Sequence, residues 1–236
     1  MTIGIIAAMN IELEGLASAM ERTESETVGG ILYITGYISG RRVVAAVSGI
    51  GKVFAAVAAE AMIMRYSPDV IINTGVAGGL SDKLKILDVV VADGAVTHDF
   101  DSGNGRGVIP GFGSGEAKIS CDARVVKALS DAVEHEGLDF LVGTVATGDR
   151  FICDAADKAD IRDTFGAVAC EMEGAAVGQV CGINGVPFGI IRAISDGGDD
   201  EAVGSFEKFA SVAAKNSVAV TKRFIECFDF KEDLTK

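Results

Sequence analysis

The sequence predicts an α/β fold, a three-layer sandwich with a central mixed β-sheet flanked by helices. Short apolar runs typical of buried strands recur along the chain, and segments of helical length and composition lie between several of them. Strands that alternate with helices favour a sheet that is covered on both faces. A chain of 236 residues can bury its core as one α/β domain. We therefore expect a single domain over residues 1–228 and a charged tail over residues 229–236.

The predicted elements follow from these runs in chain order. Strands are expected at 3–8, 43–48, 70–74, 89–92, 141–146 and 188–194. Two further strands, at 30–36 and 37–46, would be joined by a tight turn and make part of the sheet antiparallel. Helices are expected at 53–65, 125–136, 154–165, 174–182 and 205–228. Residues 99–119 are rich in glycine and weakly periodic, which predicts a long irregular loop.

The charge balance narrows the range of partners. The formal charge is −13, from 21 basic and 34 acidic side chains, and this charge repels both a phosphate backbone and an anionic membrane surface. We therefore expect neither nucleic acid nor membrane as a partner. The N-terminus lacks a basic region, and Glu12 and Glu14 follow too early for a signal sequence. A cytoplasmic location is the corresponding prediction.

The metal-ligating residue types are sparse. The 5 cysteines are widely spaced and form no CxxC motif, so we interpret them as buried thiols in a reducing compartment. With only His98 and His135 present, a site built on several histidine ligands is excluded, whereas an all-oxygen metal site is not.

Two glycine-rich stretches were candidates for ligand loops. The stretch Ser48-Gly49-Ile50-Gly51-Lys52 lacks the leading glycine of a P-loop and the third glycine of a dinucleotide fingerprint, so a tight strand-to-helix turn explains it as well. The stretch Gly75-Val76-Ala77-Gly78-Gly79 follows a predicted strand. Ligands of open α/β sheets bind beyond the carboxyl ends of strands, so this second stretch is a candidate pocket wall.

Charged residues near predicted strand and helix ends have two interpretations each. Arg192 lies inside a buried strand that ends at Asp196, which indicates either a ligand site or a structural ion pair. Glu171 and Glu173 precede a small-residue helix, where acids also stabilise the helix dipole. Glu12 follows Asn10 and is equally explained as a first-turn acid after an Asn10 cap.

Six motifs follow one another along the chain, from residue 3 to about residue 228. They are Ile3-Gly4-Ile5-Ile6-Ala7-Ala8-Met9 with Glu12, Ser48-Gly49-Ile50-Gly51-Lys52, Asn73-Thr74-Gly75, Gly148-Asp149-Arg150-Phe151-Ile152, Glu171-Met172-Glu173 and Arg192-Ala193-Ile194-Ser195-Asp196. In this order and at these separations they resemble the motifs of the 5′-methylthioadenosine/S-adenosylhomocysteine nucleosidases, a family of the nucleoside phosphorylase superfamily. The resemblance implies a nucleoside phosphorylase-like fold and hydrolysis of an N-glycosidic bond, which releases adenine and a 5-thio-substituted ribose.

The resemblance also implies a role for each polar residue. Asp196 would be the general acid for adenine N7, oriented by Ser195 and Arg192 and kept protonated by burial. Glu12 would be the ionised base that activates water, the co-substrate. Glu173 would hold the ribose hydroxyls.

The other implied substrate-binding residues form the walls of the pocket. Phe151 would stack on adenine, although core packing is the alternative, and the backbone of Ile152 would read its polar edge. Ile50 and Phe206 would line the 5′-alkylthio pocket. The remaining positions are Met9, Val76, Ala77, Gly78, Glu171 and Met172, the last packing on the ribose.

The resemblance also implies partners, and the sequence differs from the family at two places. It implies a homodimer and a place in methionine salvage, and it requires no cofactor and no metal, since side chains can supply proton and base. Val76 stands where many family members have a small hydroxyl residue, which suggests a missing hydrogen bond near Asp196. The loop over residues 100–119 matches poorly, and in the family this region reaches the neighbouring subunit's 5′ pocket.

Three alternative functions remain. A nucleoside phosphorylase shares the fold, but Glu12 and Glu14 would repel phosphate where it binds. A hydrolase of another adenine nucleoside, such as aminodeoxyfutalosine, fits the same residues. A nucleoside-binding protein without activity is disfavoured, because it has no use for a water-activating acid opposite a proton donor.

Overall fold

The computed structural model describes residues 1–110, 112 and 115–230. Its strands are β1 (Thr2–Ala7), β2 (Glu21–Val28), β3 (Ile31–Ile38), β4 (Arg41–Val47), β5 (Val70–Gly79), β6 (Val89–Thr97), β7 (Ile119–Ser120), β8 (Phe140–Thr147), β9 (Ala169–Glu171) and β10 (Phe188–Asp196). Its α-helices are α1 (Glu14–Ser18), α2 (Lys52–Tyr66), α3 (Ala123–Glu136), α4 (Ala155–Phe165), α5 (Gly174–Asn184) and α6 (Ala202–Cys227). A 3-10 helix covers Asn10–Glu12.

The strands of the described residues form one 10-stranded sheet, and its pairing is mixed, as predicted. β1 pairs in parallel with β4 and β5, and β5 pairs in parallel with β10. β10 then pairs with β6, which leads through β8 and β9 back to β5. This half of the sheet therefore closes into a ring, while β4, β3 and β2 extend it as an open edge. The closure was not predicted from the sequence.

Helices cover both faces of the sheet, which confirms the three-layer architecture. One core packs residues of α3 and α6, such as Leu129 and Phe224, against the sheet. The other packs residues of α2 and α5, such as Met62 and Val177, against the opposite face. Every residue of β5 and of β10 is buried, because both strands lie between these layers.

The open edge of the sheet differs from the prediction. The hairpin between β3 and β4 turns at Ser39 and Gly40, not at residue 36, and both turn residues have positive φ, as a type I′ turn requires. β2 was not predicted at all. All but one of its side chains are exposed and nearly all are polar, so its sequence has no apolar alternation to detect.

Three smaller expectations concern the surface and the tail. The prediction of buried thiols holds for Cys121, Cys170 and Cys181, but it is wrong for Cys153 and Cys227, which are exposed. Within the described residues, no helix is both long and apolar enough to cross a membrane. Most of the predicted charged tail, residues 231–236, lies outside the described residues, as do residues 111, 113 and 114 of the predicted loop.

Candidate active site

A cavity opens where the parallel strands β1, β4, β5 and β10 end. It encloses about 580 Å³, including the part that is open to solvent. Its location follows the rule that ligands of α/β sheets bind beyond the carboxyl ends of strands. The lining residues are Ala8, Met9, Glu12, Ile50, Val76, Ala77, Gly78, Arg150, Phe151, Ile152, Cys170, Glu171, Met172, Glu173, Ser195, Asp196 and Phe206.

The cavity brings together the two expected catalytic carboxylates and all of the expected substrate-binding residues. Ala8, Arg150 and Cys170 also line it and were not singled out from the sequence. Each of these three is a chain neighbour of a predicted residue, and Ala8 and Arg150 lie inside two of the motifs that carry the resemblance. Arg192 is not in the lining, because it lies fully buried beneath the cavity.

Glu12 is held by backbone amides from two strand ends. Its Oε2 accepts hydrogen bonds from the amides of Ala8 at 3.0 Å and Met9 at 2.8 Å, and its Oε1 accepts one from Val76 at 2.9 Å. A Cβ at Gly75 would lie 2.5 Å from Oε1, so only glycine leaves room for the carboxylate there. The expected Asn10 cap is corrected, because Met9 occupies the cap position and Asn10 lies inside the 3-10 helix.

Arg192 is the centre of a buried polar cluster. Its guanidinium donates to Glu171 and to the side-chain carbonyl of Asn73, and it lies 3.6 Å from Glu173 Oε2. These contacts correct the expectation that Arg192 orients Asp196, because the hydrogen bonds and ion pairs described for Arg192 all go to the glutamates and Asn73. Its Nε is buried and has no hydrogen-bond partner among the described residues.

Glu171 supports the helix-capping interpretation of the Glu-Met-Glu motif. Its Oε2 accepts hydrogen bonds from the amides of Glu173 at 3.0 Å and Gly174 at 2.7 Å, where α5 begins. The hydroxyl of Thr147, at the end of β8, donates to the other oxygen. Both carboxylate oxygens of Glu171 therefore already accept hydrogen bonds from the protein, whereas Glu173 accepts fewer hydrogen bonds.

Negative charge exceeds positive charge in this cluster, since three buried glutamates surround one arginine. Burial raises the pKa of Glu12, against the opposing effects of Arg192 and the three amides. Burial and the neighbouring Glu171 raise the pKa of Glu173 to about 7, although Arg192 and the Gly51 amide lower it. Part of the Glu173 population therefore carries a proton near neutral pH.

Asp196 lies in a separate part of the cavity at the end of β10. Its Oδ2 accepts a hydrogen bond from the Ser195 hydroxyl at 2.8 Å, and its Oδ1 accepts one from the Gly198 amide at 2.9 Å. A Cβ at Gly78 would lie 2.8 Å from Oδ1, so close backbone approach is required here. Burial raises the pKa of Asp196, an effect that the two hydrogen bonds only partly offset.

Asp196 has hydrogen-bond donors although residue 76 is a valine. The amide of Val76 serves Glu12, and Asp196 lies opposite Gly78 in the sheet register. The suggested loss of a hydrogen bond near Asp196 is therefore corrected, since Ser195 and Gly198 supply its donors.

An apolar wall completes the cavity. Phe151 is 41% exposed, which contradicts the core-packing interpretation, and its ring meets that of Phe206 edge-on at 5.6 Å. Ile50 is also exposed, whereas the side chain of Ile152 is buried. In the described parts of the chain, no group of histidine, cysteine and acidic residues has the arrangement of a metal site.

Comparisons with known proteins agree with this geometry. The family model of the phosphorylase superfamily matches residues 2–226. A 5′-methylthioadenosine/S-adenosylhomocysteine nucleosidase from Shewanella halifaxensis is 40% identical over 92% of this chain and 95% of its own length. The crystal structure of the Neisseria meningitidis nucleosidase of the same name, in complex with methylthio-immucillin-A, has a TM-score of 0.91 at 37% identity and covers 95% of this chain and 98% of its own. A futalosine hydrolase mutant from Helicobacter pylori has a TM-score of 0.90 at 30% identity, with 95% and 98% covered.

Proposed function

The chain belongs to the 5′-methylthioadenosine/S-adenosylhomocysteine nucleosidases of the phosphorylase superfamily, and we propose that it hydrolyses the N-glycosidic bond of one or both of these nucleosides. The products are adenine and the 5-thio-substituted ribose. The observation that carries the proposal is that the carboxylates of Glu12, Glu173 and Asp196 line one cavity that has an apolar wall.

Asp196 activates the leaving group in this mechanism. Cleavage leaves negative charge on the base, so a proton delivered to adenine N7 lowers the barrier. Burial raises the pKa of Asp196, so its protonated form is more available than that of an exposed aspartate. The Ser195 hydroxyl and the Gly198 amide hold the Asp196 side chain in one orientation at the cavity wall.

The aromatic wall binds the base. Phe151 and Phe206 offer flat apolar surfaces, which suit a purine ring. In the described chain no hydrogen bond engages the backbone of Ile152, so its amide and carbonyl are available to the polar edge of adenine. Ile50 and Phe206 cover the 5′ substituent, whose thioether needs apolar contacts, and Ala77 and Gly78 allow close approach.

Glu12 activates water and Glu173 binds the sugar. Glu12 is held rigidly by three amides, and burial moves its pKa towards the range in which a base is effective near neutral pH. Glu173 accepts hydrogen bonds from the ribose hydroxyls as positive charge develops on the ring. Met172 packs on the ribose, and Met9, Val76 and Glu171 complete the wall.

Electrostatics oppose phosphorolysis at this site. A phosphate opposite the base would lie near Glu12 and Glu173, and the buried cation Arg192 is already engaged by Glu171 and Asn73. Like charges in a buried site repel strongly. Water, which is neutral, is therefore the favoured nucleophile. A second candidate substrate is aminodeoxyfutalosine, because the fold is also similar to that of a futalosine hydrolase.

The test is adenine release from methylthioadenosine, S-adenosylhomocysteine and aminodeoxyfutalosine, each without and with phosphate. We expect rapid release from one or both thio-nucleosides that does not depend on phosphate, together with free 5-thio-ribose. Release that requires phosphate would establish a phosphorylase instead. Release from aminodeoxyfutalosine alone would reassign the substrate, and binding without release would indicate a non-catalytic protein.

We also propose the setting in which the enzyme works. Residues 1–228 act as one nucleosidase domain, and 229–236 are its tail. The enzyme acts as a cytoplasmic homodimer in methionine salvage, and it uses neither cofactor nor metal. The dimer is supported by a stripe of exposed apolar residues on α2, formed by Val53, Val57 and Met64, because exposed apolar patches of this kind mark protein interfaces.

A further inference from the structure

Two loops that are far apart in the chain both contribute residues to the cavity wall. The loop over residues 48–52 follows β4 and carries Ile50, and the loop over residues 148–152 follows β8 and carries Phe151 and Ile152. The first loop also reaches the sugar side of the site, since the amide of Gly51 donates to Glu173 Oε1 at 2.9 Å. The relative position of the two loops therefore sets both the width of the base slot and the position of one carboxylate.

Lys52, Asp99 and Asp149 join these loops, and we name these three residues the Lys52 clamp. Lys52 Nζ lies 2.5 Å from Asp99 Oδ1 and 3.5 Å from Asp149 Oδ2. The backbone amide of Lys52 donates to Asp149 Oδ1 at 2.9 Å, and the amide of Asp149 donates to Asp99 Oδ2 at 2.9 Å. Each member contacts both others, so the clamp closes as a ring of contacts.

The loops are packed tightly around the clamp. Gly51 has a φ of +102°, and a Cβ there would lie 3.1 Å from Asp149 Oδ1. The side chains of Lys52 and Asp99 are only 23% and 24% exposed. Burial disfavours an ionised Asp99, yet the hydrogen bonds from Lys52 and from the Asp149 amide hold the pKa of Asp99 below its ordinary value.

The clamp has little to contribute to global stability. Partly exposed ion pairs are screened by solvent and add little to the free energy of unfolding. The side chains of Lys52, Asp99 and Asp149 are 23%, 24% and 49% exposed. The geometry therefore points to a local role at the cavity.

We propose that Lys52 is a positioning residue, which holds the 48–52 loop against the 148–152 loop so that the Gly51 amide stays on Glu173 and the apolar walls keep their separation. The inference deepens the proposed function and rests on it, because it assigns Glu173 to the sugar. Without the clamp, Glu173 loses the hydrogen bond from the Gly51 amide. Arg192 then lowers the pKa of Glu173, while the carboxylates of Glu171 and Glu12 raise it. Removal of a donor to the ionised form raises the pKa of Glu173 further.

The test compares Lys52→Met with Lys52→Arg and with a control, Lys127→Met. Lys127 forms an ion pair with Asp131 within one exposed helix face, so the control removes an equivalent charge away from the cavity. For Lys52→Met we expect kcat/KM for methylthioadenosine to fall about 10- to 100-fold, since small misplacements of catalytic groups cost this much. The acidic limb of its pH–rate profile should move to higher pH. Lys52→Arg should recover most of the activity and the wild-type pH profile.

A structural readout separates this inference from the proposed function. Amide hydrogen exchange of residues 49–52 should be faster in Lys52→Met than in the wild type and in Lys127→Met, whatever the substrate proves to be. Asp99→Asn, which keeps the side-chain shape, should show the same changes to a smaller extent and serves if Lys52→Met does not fold. Unchanged exchange in the folded variants would overturn the inference. An active wild type whose clamp variants keep its kinetics and pH profile would overturn it as well.

Discussion

The surroundings of Asp196 raise the pKa of its carboxyl group. It is buried at a strand end, and both oxygens accept a hydrogen bond from a neighbouring residue, Ser195 or Gly198. Burial raises its pKa, so the protonated form persists to higher pH than in an exposed aspartate. Turnover that depends on this proton should therefore be lost as the pH rises through the raised pKa.

Replacing Asp196 with asparagine tests this role directly. The amide can still accept the hydrogen bond from Gly198, so we expect folding and methylthioadenosine binding to be retained. It has no proton to give to N7, so kcat should fall about 10²- to 10⁴-fold. Steady-state adenine release and calorimetric binding measure the two effects. The control is Asp200→Asn, which changes an exposed neighbouring acid. A near-native rate for Asp196→Asn would show that another group protonates the base.

The glutamates show where reasoning from single residues reached its limit. Taken singly, Glu12, Glu171 and Glu173 fitted helix ends as well as a functional site, and only the family resemblance assigned Glu12 to water and Glu173 to the ribose. In the structure Glu171 caps α5 and pairs with Arg192, whereas Glu12 and Glu173 keep oxygens near the cavity. The difference arises from backbone amides of Ala8, Val76 and Gly51, which have no side-chain signature in a sequence.

At the scale of elements, the residues that follow β6 and β8 approach each other closely, and Gly148 lies at the point of contact. The amide of His98 donates to the Thr147 carbonyl at 2.9 Å, and the His98 ring is buried beside Gly148. A Cβ at residue 148 would lie 2.2 Å from His98 Nε2. Gly148 therefore permits the approach that brings Asp99 and Asp149 together.

Gly148→Ala should be destabilising for this reason. The buried imidazole has little space to move, so overpacking should cost about 1–3 kcal/mol and lower Tm by about 2–12 °C. The matched control is Gly204→Ala in α6, where an added Cβ meets no atom of the described residues within 4 Å and helix propensity favours alanine. Thermal unfolding of both variants measures the difference, and equal Tm values would contradict the close approach at Gly148.

The prediction of elements succeeded where burial left a pattern. Most of β10 and the first half of β5 were evident as mostly apolar runs, because both of their faces are covered. β5 continues to Gly79, beyond the predicted end at residue 74, through residues that are small or glycine. β2 was not predicted because it lies at an exposed edge of the sheet and is held by pairing with β3. The hairpin turn was misplaced because Tyr37 and Ile38 continue the strand beyond Gly36.

At the scale of the whole molecule, the exposed apolar stripe on α2 indicates a protein interface. Val53 and Met64 are each 74% exposed and Val57 is 43% exposed. Their spacing of four and seven residues places them on one face of the helix. Ile50, at the rim of the cavity, precedes the same helix, so a second copy bound here would lie close to the 5′ side of the site.

Val57→Glu should weaken the proposed homodimer, because it would place a charge in the apolar stripe. Val212→Glu is the control, since Val212 on α6 is exposed to a similar extent, 44% against 43% for Val57. Sedimentation velocity over a concentration range should show a dimer for the wild type and for Val212→Glu, and a shift towards monomer for Val57→Glu. A wild type that sediments as a monomer at all concentrations would refute the homodimer.

The sequence by itself determined the mixed α/β class and the order of the main elements, and through the family resemblance it named most of the residues that line the cavity. These depend on apolar periodicity and on motifs that are local in the chain. Only the tertiary structure decided the ring closure of the sheet, the pairing of Arg192 with Glu171 in place of Asp196, and the clamp from Lys52 to Asp99 and Asp149. The reason is that these features join segments tens of residues apart, and their energies depend on burial and on backbone donors that a linear pattern does not contain.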